Sequence, residues 1–539
     1  MGHRLIRFRR AIAALALSLV AASQGAAVGA TGAQTATGET AGRAPADDIV
    51  AAPGADVLVT TNPDPVLARN SPSLAVNPLQ ATNVVVVDRV DRPDYAAGVH
   101  VSNDGGGTWQ DKGLAVPPGA AGKPYAPTAA FDARGTLYVL FTTLAGAGNT
   151  PEALWVARSG DGGLSFDPAV RVTGPHAFQA TFAVDVRGGR LYAAWLQSDD
   201  AASECNLCFA RTGLPIVVSQ SGDGGRTWSP PVRVSDPERA RVGAPSLAVS
   251  PEGGPVVLYV DYGDDRLDWE NLPGTYDGRF SLVLARSPDR GATFEPGRVV
   301  DGDVVPPGRF LVYQPVVPGL AINGDGDPIV VWADRRNGDT DVLLRRSTSG
   351  GDHFDPPVRV NRGPVGDGVP QDMPSVSVAP GGRIDVAYYD RTLDRRGPTA
   401  DVVLSSSSDG GRTFPDAFRL STRSSDRRVG PTGSPHTEEA DFGSRLAVRA
   451  LPGVSVAAWA DSRNGSPDTG KQDVYLASVA IDEGSGVSAA SWVLAVGGVL
   501  LAAAGIGLLL ATRRARRRVA APPPAVDLGG PGGGAGPGG

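Results

Sequence analysis

Ser-Gly-Asp-Gly-Gly-Arg-Thr-Trp, residues 221–228, is one copy of a pattern, Ser-x-Asp-x-Gly-x-Thr-aromatic, that recurs along the chain. The other full copies read SNDGGGTW at 102–109, SGDGGLSF at 159–166, SPDRGATF at 287–294 and SSDGGRTF at 407–414. A weaker copy, STSGGDHF at 347–354, has Ser349 where the others have aspartate. Successive copies start 57, 62, 66, 60 and 60 residues apart, and a near-constant period of this size predicts a repeat architecture.

The residue types in this pattern are those of a tight, capped turn. Glycine permits a backbone with positive φ, and an aspartate can accept hydrogen bonds from the backbone of its own loop. The final Trp or Phe can pack down onto apolar neighbours. We therefore expect a structural role for the five aspartates, Asp104, Asp161, Asp223, Asp289 and Asp409.

The composition of the 539 residues favours an all-β fold with one large repeat domain. Strand-like apolar runs, 71 glycines and 46 prolines outweigh any long helical periodicity. Without the arginines and the one aspartate of residues 1–30 and 513–539, 41 basic and 56 acidic side chains remain, a balance of −15. Nucleic acid is not an expected partner, because phosphate binding requires a basic surface.

The N-terminal residues 1–54 are expected to lie outside the repeat domain. Four arginines among the first ten residues precede an apolar run at 11–22 and a stretch of small residues, which predicts a signal peptide at 1–30. Residues 31–54 are rich in Ala, Thr and Gly and are interpreted as a linker.

The C-terminal part of the chain predicts a membrane anchor. Residues 491–511 carry no charge, and 21 helical residues span the ~30 Å of a bilayer core. Five arginines at 513–518 follow, which places the Pro- and Gly-rich tail, 512–539, in the cytoplasm. With 481–490 as a spacer, we expect a single-pass protein of the cell membrane whose repeat domain, 55–480, lies outside.

The repeat domain is predicted to be a closed β-propeller. Each copy of the pattern follows three strand-like segments and precedes a fourth, and a seventh set at 445–448, 456–459 and 474–477 lacks both pattern and fourth strand. Residues 57–60, Val-Leu-Val-Thr, resemble the outer strands of other copies, such as Val-Arg-Val-Ser at 232–235. Seven blades, the last completed by this N-terminal strand, would leave no free sheet edge. The alternative is six blades with the seventh set as an added module.

The repeated pattern is identified as an Asp-box, and residues 55–480 resemble the sialidase-like (BNR-repeat) β-propellers. Many propellers of this type are not sialidases. The resemblance implies, for an enzyme, an arginine triad that clamps the sugar carboxylate, a Tyr nucleophile paired with Glu, and an Asp acid/base. An Arg-Ile-Pro motif marks the first arginine of that triad.

The stretch that corresponds to this motif departs from it. It reads Asn-Ser-Pro-Ser-Leu at 70–74, so that Asn70 occupies the arginine position and Arg69 lies one residue away. A shift of one residue along a strand reverses the side-chain direction. The other two triad arginines cannot be placed by motif. We therefore expect a module that binds a glycan or an extracellular protein; the alternative is an exo-α-sialidase or related glycoside hydrolase with an atypical clamp drawn from Arg69, Arg309 and Arg391.

Because strand direction alternates within a blade, the Asp-box turns share one face, and the loops between second and third strands share the other, the loop face. We expect function on the loop face. Second strands end there in Asp88, Asp261, Asp334, Asp390 and Asp461, and Arg89, Arg335, Arg391 and Arg463 follow closely. These residues could form a ring of charge around a polar ligand. The favoured interpretation is ion pairs within each blade, because catalytic residues rarely recur in every repeat.

Features that occur once are better site candidates. The loop after the second strand of the fourth copy contains Trp269, Glu270 and Tyr276, and aromatic rings with carboxylates suit sugar recognition. Glu270 and Tyr276 could form a nucleophile pair, although a self-packed loop is favoured. Arg309 and Tyr313 lie at a predicted blade junction, where core packing of the tyrosine is an equal alternative.

Two further motifs bear on cross-links and cofactors. Cys205 and Cys208 are the only cysteines, and in an exported chain they are expected to form a local disulfide. Asn-Gly-Asp-Gly-Asp at 323–327 could bind calcium, but a hairpin turn is favoured, so no cofactor is expected. The sequence does not specify an oligomeric state.

Overall fold

The computed structural model describes residues 50–51, 56–120, 122–146, 149–185, 188–198, 213–265, 278–307, 317–431 and 440–481. All of them belong to one compact unit, Pro45–Gly539. Within these ranges no helix is long and apolar enough to cross a membrane. Several predicted features lie outside the described residues: the signal peptide 1–30, the anchor 491–511 and its tail, Cys205, Cys208, Trp269, Glu270, Tyr276, Arg309 and Tyr313.

Seven sheets, each built on four antiparallel strands, form the blades. The strands, in chain order, are β1 (Val50–Ala51), β2 (Val57–Leu58), β3 (Ala68–Asn77), β4 (Gln80–Arg92), β5 (Ala96–Ser102), β6 (Gln110–Lys112), β7 (Lys123–Phe131), β8 (Leu137–Ala145), β9 (Thr150–Ser159), β10 (Val170–Thr173), β11 (Ala177–Val184), β12 (Leu191–Gln197), β13 (Ile216–Ser221), β14 (Val232–Arg233), β15 (Val242–Val249), β16 (Pro255–Asp261), β17 (Phe280–Arg286), β18 (Arg298–Val304), β19 (Gly319–Ile322), β20 (Pro328–Asp334), β21 (Asp341–Arg346), β22 (Val358–Arg359), β23 (Gln371–Val378), β24 (Ile384–Asp390), β25 (Thr399–Ser407), β26 (Asp416–Arg419), β27 (Ser425–Asp426), β28 (Ala447–Leu451), β29 (Val454–Asp461) and β30 (Asp473–Ala480). Blades 1 to 6 consist of β3–β6, β7–β10, β11–β14, β15–β18, β19–β22 and β23–β26.

The seventh blade is closed by the N-terminal part of the chain. Its strand order is β28-β29-β30-β2, with Val57 opposite Leu476 and Leu58 opposite Tyr475. The first strands of the blades lie innermost and neighbour one another in a ring, in which β28 returns to β3. The predicted seven-bladed propeller is therefore confirmed, and the six-bladed alternative is wrong, because the seventh set of strands is a complete blade.

The segment predicted as a linker, 31–54, contributes a strand of its own. β1 pairs in parallel with β26, with Val50 opposite Phe418. In blade 6, β27 also pairs with β25, and a short 3-10 helix, Thr392–Asp394, follows β24. The N-terminal segment thus contacts two blades: it extends the outer edge of blade 6 and completes blade 7.

The core lies between neighbouring blades. Val85 and Val87 of blade 1 pack against Phe131 and Leu137 of blade 2, and similar clusters fill other junctions between blades. Because each sheet is covered on both faces, its central strands are continuous apolar runs and do not alternate. This burial explains why the second strands carry the strongest apolar signal in the sequence.

The Asp-box turns join third and fourth strands and are held by their own side chains. In the first, Ser102 Oγ accepts a hydrogen bond from Gly106 N at 2.8 Å, and Asp104 accepts one from Thr108 N at 2.8 Å. The other four full copies repeat these bonds. In the weaker copy, Ser349 Oγ accepts from His353 N at 3.0 Å and so replaces the aspartate.

The inner strands of five blades contain a bulge close to the loop face. Each bulge contains a non-glycine residue with positive φ: Ser71, Ala126, Gln179, Ala244 and Met373. Some of these residues connect neighbouring blades, since Ser71 Oγ accepts a hydrogen bond from Ser444 N at 2.9 Å. A bulge adds one residue to a strand and redirects the side chains before it.

Candidate ligand-binding site

The loop face is where the described polar side chains of different blades meet. Because adjacent strands are antiparallel, the second-to-third loops and the connections between blades open on the face opposite the Asp-box turns. Its richest described region lies where blades 7, 1 and 2 adjoin. The described candidates from the sequence fall into three groups: Arg69 with its partners, the residues around Asn70, and the aspartates that end second strands around the ring.

Arg69 is held inside blade 1. Its Nη1 donates to both carboxylate oxygens of Asp88, at 3.0 and 3.1 Å, and Asp88 is fully buried. A Cβ on Gly98 would lie 1.8 Å from Asp88 Oδ1, so glycine at this position leaves the room that the ion pair needs. In this arrangement the Arg69 guanidinium is paired with a carboxylate of its own blade.

His100 extends the same network. Its Nδ1 lies 2.6 Å from Asp111 Oδ1 and its Nε2 lies 3.3 Å from Asp88 Oδ1. Burial by itself lowers the pKa of His100, but the two carboxylates outweigh burial and raise it above its usual value. Thr61, just after β2, donates to Asp111 Oδ2 at 3.0 Å, so the network also holds the segment that closes the ring.

Asn70, at the expected clamp position, belongs to a second buried group, the mouth cluster, formed by Asn70, Arg89, Asp91, Tyr125 and Asp441. Asp91 is its centre: it accepts from Asn70 Nδ2 at 2.8 Å, from Arg89 Nε at 3.0 Å and from the Tyr125 hydroxyl at 2.7 Å. Arg89 Nη2 also donates to Asp441 Oδ2 at 2.8 Å. The cluster joins blades 1 and 2 to the connection before blade 7.

The electrostatics of the mouth cluster do not favour a nucleophilic tyrosine. Burial, with the neighbouring Asp91, raises the pKa of Tyr125 well above its usual value. Burial also raises the pKa of Asp441, although Arg89 opposes this effect. At neutral pH the phenol therefore keeps its proton and acts as a hydrogen-bond donor. The half-buried ring of Tyr95 stands edge-on to Tyr125, with 5.1 Å between ring centroids.

The aspartates that end the second strands make ion pairs. Arg463 Nη2 lies 2.6 Å from Asp461 and 2.7 Å from Asp56. In blade 5 the partner of Asp334 is Arg336, at 2.6 Å, and the predicted candidate Arg335 has an exposed side chain. The pairing arginine thus stands two residues after the aspartate in both blades, because successive side chains of an extended chain point to opposite sides.

Asp261 also forms an ion pair with an arginine. It accepts from Arg239 Nη1 at 2.6 Å, and Arg239 Nε also donates to Asp236 at 3.0 Å. These residues line an open depression of about 470 Å³ on blade 4. The carboxylates of Asp261, Asp334 and Asp461 therefore hold arginines in place.

Asp390 of blade 6 is the exception. The position two residues on is Thr392, whose N donates to Asp390 Oδ1 at 2.6 Å, so no arginine stands in the place that Arg463 takes in blade 7. Burial, with the nearby Asp401 and Asp367, raises the pKa of Asp390 to about 6. Arg391 is half-buried, and its N donates to Pro370 O at 3.3 Å.

We expect Asp390→Asn to stabilise the protein at pH 7. The pKa of Asp390 is raised from 3.8 in the unfolded chain to about 6, so its ionisation costs native stability as the pH rises from about 4 to about 6. Removing this cost should increase the free energy of unfolding by about 3 kcal/mol at pH 7 and by nothing below pH 4. Urea unfolding at both pH values measures the difference.

The matched control is Asp461→Asn at the same position of blade 7. It leaves Arg463 without one of its two carboxylates and should destabilise the protein at pH 7. Equal destabilisation by both variants would show that Asp390 is ionised and paired, against the expectation.

The possible calcium motif at 323–327 forms a turn. Asn323 Oδ1 accepts hydrogen bonds from Asp325 N at 3.0 Å and Asp327 N at 2.8 Å. Asp327 Oδ1 in turn accepts from Gly350 N at 2.8 Å and joins this turn to the weaker Asp-box. In the described part of the chain, no three His, Cys, Asp or Glu side chains gather as metal ligands.

Sequence reasoning missed the centre of the mouth cluster. Asp91 and Tyr125 were not among the candidates, because nothing local in the sequence shows that they meet. The one available signal was the length of β4, which continues past Asp88 to Arg92 and carries Asp91 into the loop face. That the Asn70 amide is bound to Asp91 depends on the fold.

The chain matches no protein-family model and no curated protein. Similar solved structures include a Penicillium chrysogenum α-L-arabinanase, at 17% identity and a TM-score of 0.42 over 66% of this chain and 97% of that chain. Others are a polysaccharide lyase, an ulvan lyase (12%, 0.46, 77% and 95%), and the Hadza microbial sialidase Hz136 (15%, 0.41, 75% and 75%). Values this low assign no substrate to this chain.

The blade pairing and the Asp-box turns together define the class of protein. It is a seven-bladed β-propeller whose last blade is completed by its N-terminal strand.

Proposed function

We propose that this protein is a cell-surface propeller that binds a carbohydrate on its loop face without a sialidase clamp. One observation carries the proposal. Asn70, which stands where the resemblance places the first clamp arginine, is fully buried, and its amide donates to Asp91 and Gln472 at 2.8 and 3.4 Å. The adjacent Arg69 is bound to Asp88. Both side chains are thus engaged by groups of the protein itself.

The mouth cluster supports recognition of a polar, hydroxyl-rich ligand. Carboxylates and a half-buried aromatic ring lie together there, and such groups bind sugar hydroxyls and stack on sugar rings. Asp441 keeps 13% of its side chain exposed, while Tyr95 covers the cluster from outside. Because acidic side chains outnumber basic ones in this chain, a neutral glycan is favoured as the ligand over a polyanionic one.

We also propose that residues 491–511 anchor the propeller outside the cell. An uncharged run of this length followed by five arginines supports this orientation. Labelling of intact cells with a membrane-impermeant amine reagent should modify Lys112 or Lys123 of the propeller. Labelling only after lysis would refute the orientation.

A glycan-array screen of the purified full-length protein, with a fluorogenic sialoside assay beside it, tests the proposed activity. We expect binding to a neutral glycan without release of sialic acid. Tyr95→Ala should weaken that binding about ten-fold, because it removes the half-buried ring beside the mouth cluster. Leu79→Ala, which shortens an exposed side chain on the Asp-box face, should leave it unchanged.

Two results would contradict the proposal. Release of sialic acid would favour the exo-sialidase alternative, whose candidates Glu270, Tyr276 and Arg309 lie outside the described residues. Equal glycan binding by the Tyr95→Ala and Leu79→Ala variants would show that the glycan does not bind at the mouth cluster.

A further inference from the structure

The last strand of the described chain, β30, ends on one particular face of the propeller. It begins at the loop face, where Asp473 lies opposite Asp461, the end of the second strand of blade 7. It then runs away from that face, and its last residue, Ala480, lies opposite Val454. Val454 directly follows the turn between β28 and β29, which opens on the Asp-box face. The chain therefore leaves blade 7 at the Asp-box face.

Contacts within blade 7 hold this exit point in place. Ile481, which follows β30, is 5% exposed and belongs to the buried cluster that contains Trp459 and Tyr475. Its N donates to Gly453 O at 3.0 Å, in the turn between β28 and β29. The first residue of the predicted spacer is thus part of the propeller. Only residues 482–490 then separate the propeller from the proposed anchor.

The length of the strands separates the exit point from the loop face. β30 has eight residues, and at about 3.3 Å per residue it spans about 25 Å from one face to the other. The mouth cluster lies at the far end of this distance, because Asp441 belongs to the connection that enters blade 7 on the loop face.

The chain between the propeller and the proposed anchor is too short to turn the loop face toward the membrane. Residues 482–490 can span at most about 30 Å, even when fully extended. With the loop face against the membrane, the chain would first have to run back about 25 Å along blade 7. It would then have to cross a headgroup layer of about 5–8 Å before the anchor could begin. These two distances use the whole reach of the segment, and the loss of its conformational freedom is costly.

We propose that the propeller is held with its Asp-box face toward the membrane that anchors it and with its loop face directed away from that membrane. This orientation rests on the proposed anchor at 491–511. The mouth cluster then opens about 25 Å farther from the bilayer than the exit point does. The ligand of the mouth cluster is therefore a glycan from outside this membrane, because the sugar headgroups of its own lipids lie on the other side of the propeller.

The test uses the full-length protein with a fluorescent donor on one introduced cysteine, reconstituted into phosphatidylcholine liposomes that contain an acceptor-labelled lipid. Asp325→Cys places the donor in the turn between β19 and β20, on the Asp-box face. Val365→Cys places it in the connection between β22 and β23, on the loop face. Both positions are exposed. Energy transfer to the membrane should be at least about two-fold more efficient from Asp325→Cys, because about 25 Å separates the two faces.

The two variants are matched, because both labels are carried by blade 5 and its connection to blade 6 and so share any tilt of the propeller. The unsubstituted protein, whose only cysteines are Cys205 and Cys208, measures background labelling. Flotation with the liposomes reports insertion separately, and protein that stays in the aqueous phase would refute the anchor and the orientation with it. Inserted protein with equal transfer from both labels, or with greater transfer from Val365→Cys, overturns the orientation alone. Neither outcome depends on glycan binding.

Discussion

Val59→Asp is expected to open the propeller, with a loss of at least about 4 kcal/mol in the free energy of unfolding. Val59 directly follows β2, is fully buried, and its N donates to Val474 O at 2.9 Å. Its side chain packs between Leu74 of blade 1 and Leu476 of blade 7. A carboxylate there would be buried without a partner at the joint that closes the ring.

Leu58→Asp provides the control, because Leu58 is the preceding residue of the same segment and 38% of it is exposed. It should change the unfolding free energy by less than about 1 kcal/mol. Thermal and urea unfolding measure both variants, and limited proteolysis reports an opened ring. Similar losses for both variants would mean that β2 does not close the seventh blade as described.

Asp88→Asn is expected to cost about 3–5 kcal/mol, because it breaks a buried ion pair and leaves the cations behind. Asp88 is fully buried and accepts from Arg69 Nη1 at 3.0 Å. It also lies 3.3 Å from His100 Nε2. An asparagine can keep one hydrogen bond but cannot neutralise the arginine. Urea unfolding at pH 7 measures the loss.

The same variant should weaken a pH dependence of stability. The pKa of His100 is raised above its usual 6.5 in the folded protein, so its protonation stabilises the fold below about pH 6.5, and this contribution is lost as the pH rises through the folded value. Asp88→Asn should lower that pKa, which NMR titration of the His100 ring would detect.

Asp167→Asn is the corresponding control on an exposed pair. Asp167 lies 3.8 Å from Arg158, and 65% of its side chain is exposed. Exposed pairs of this kind contribute about 0–1 kcal/mol. If Asp88→Asn changed stability as little as Asp167→Asn, the network of Arg69, Asp88 and His100 would not be the buried structural unit described above.

The sequence was sufficient to predict the fold, because the patterns that identify the fold involve residues close together in the chain. The Asp-box turns are bonded within eight residues, as Asp104 and Thr108 show, and their spacing counts the blades. The closure by residues 57–60 could be predicted because an outer strand has the same pattern wherever it occurs in the chain. Val57 and Leu58 do pair with blade 7, more than 400 residues later in the chain.

The candidate site was less predictable, because its contacts join residues far apart in sequence. Arg89 binds Asp441, and Arg445 binds Pro127 O, across more than 300 residues in each case. The shift from Arg335 to Arg336 in blade 5 depends on which side chain faces inward after the strand ends.

By itself, the sequence determined the all-β class, the number of blades and the N-terminal closure. Only the tertiary structure decided that Asn70 is bound to Asp91 and that, among the described residues, Asp390 has no arginine partner whereas Asp461 has one. The physical reason is the sequence separation over which each kind of interaction acts. Turn and strand preferences act between near neighbours, whereas the partner of a buried charge is set by the ring that brings blades 7, 1 and 2 together.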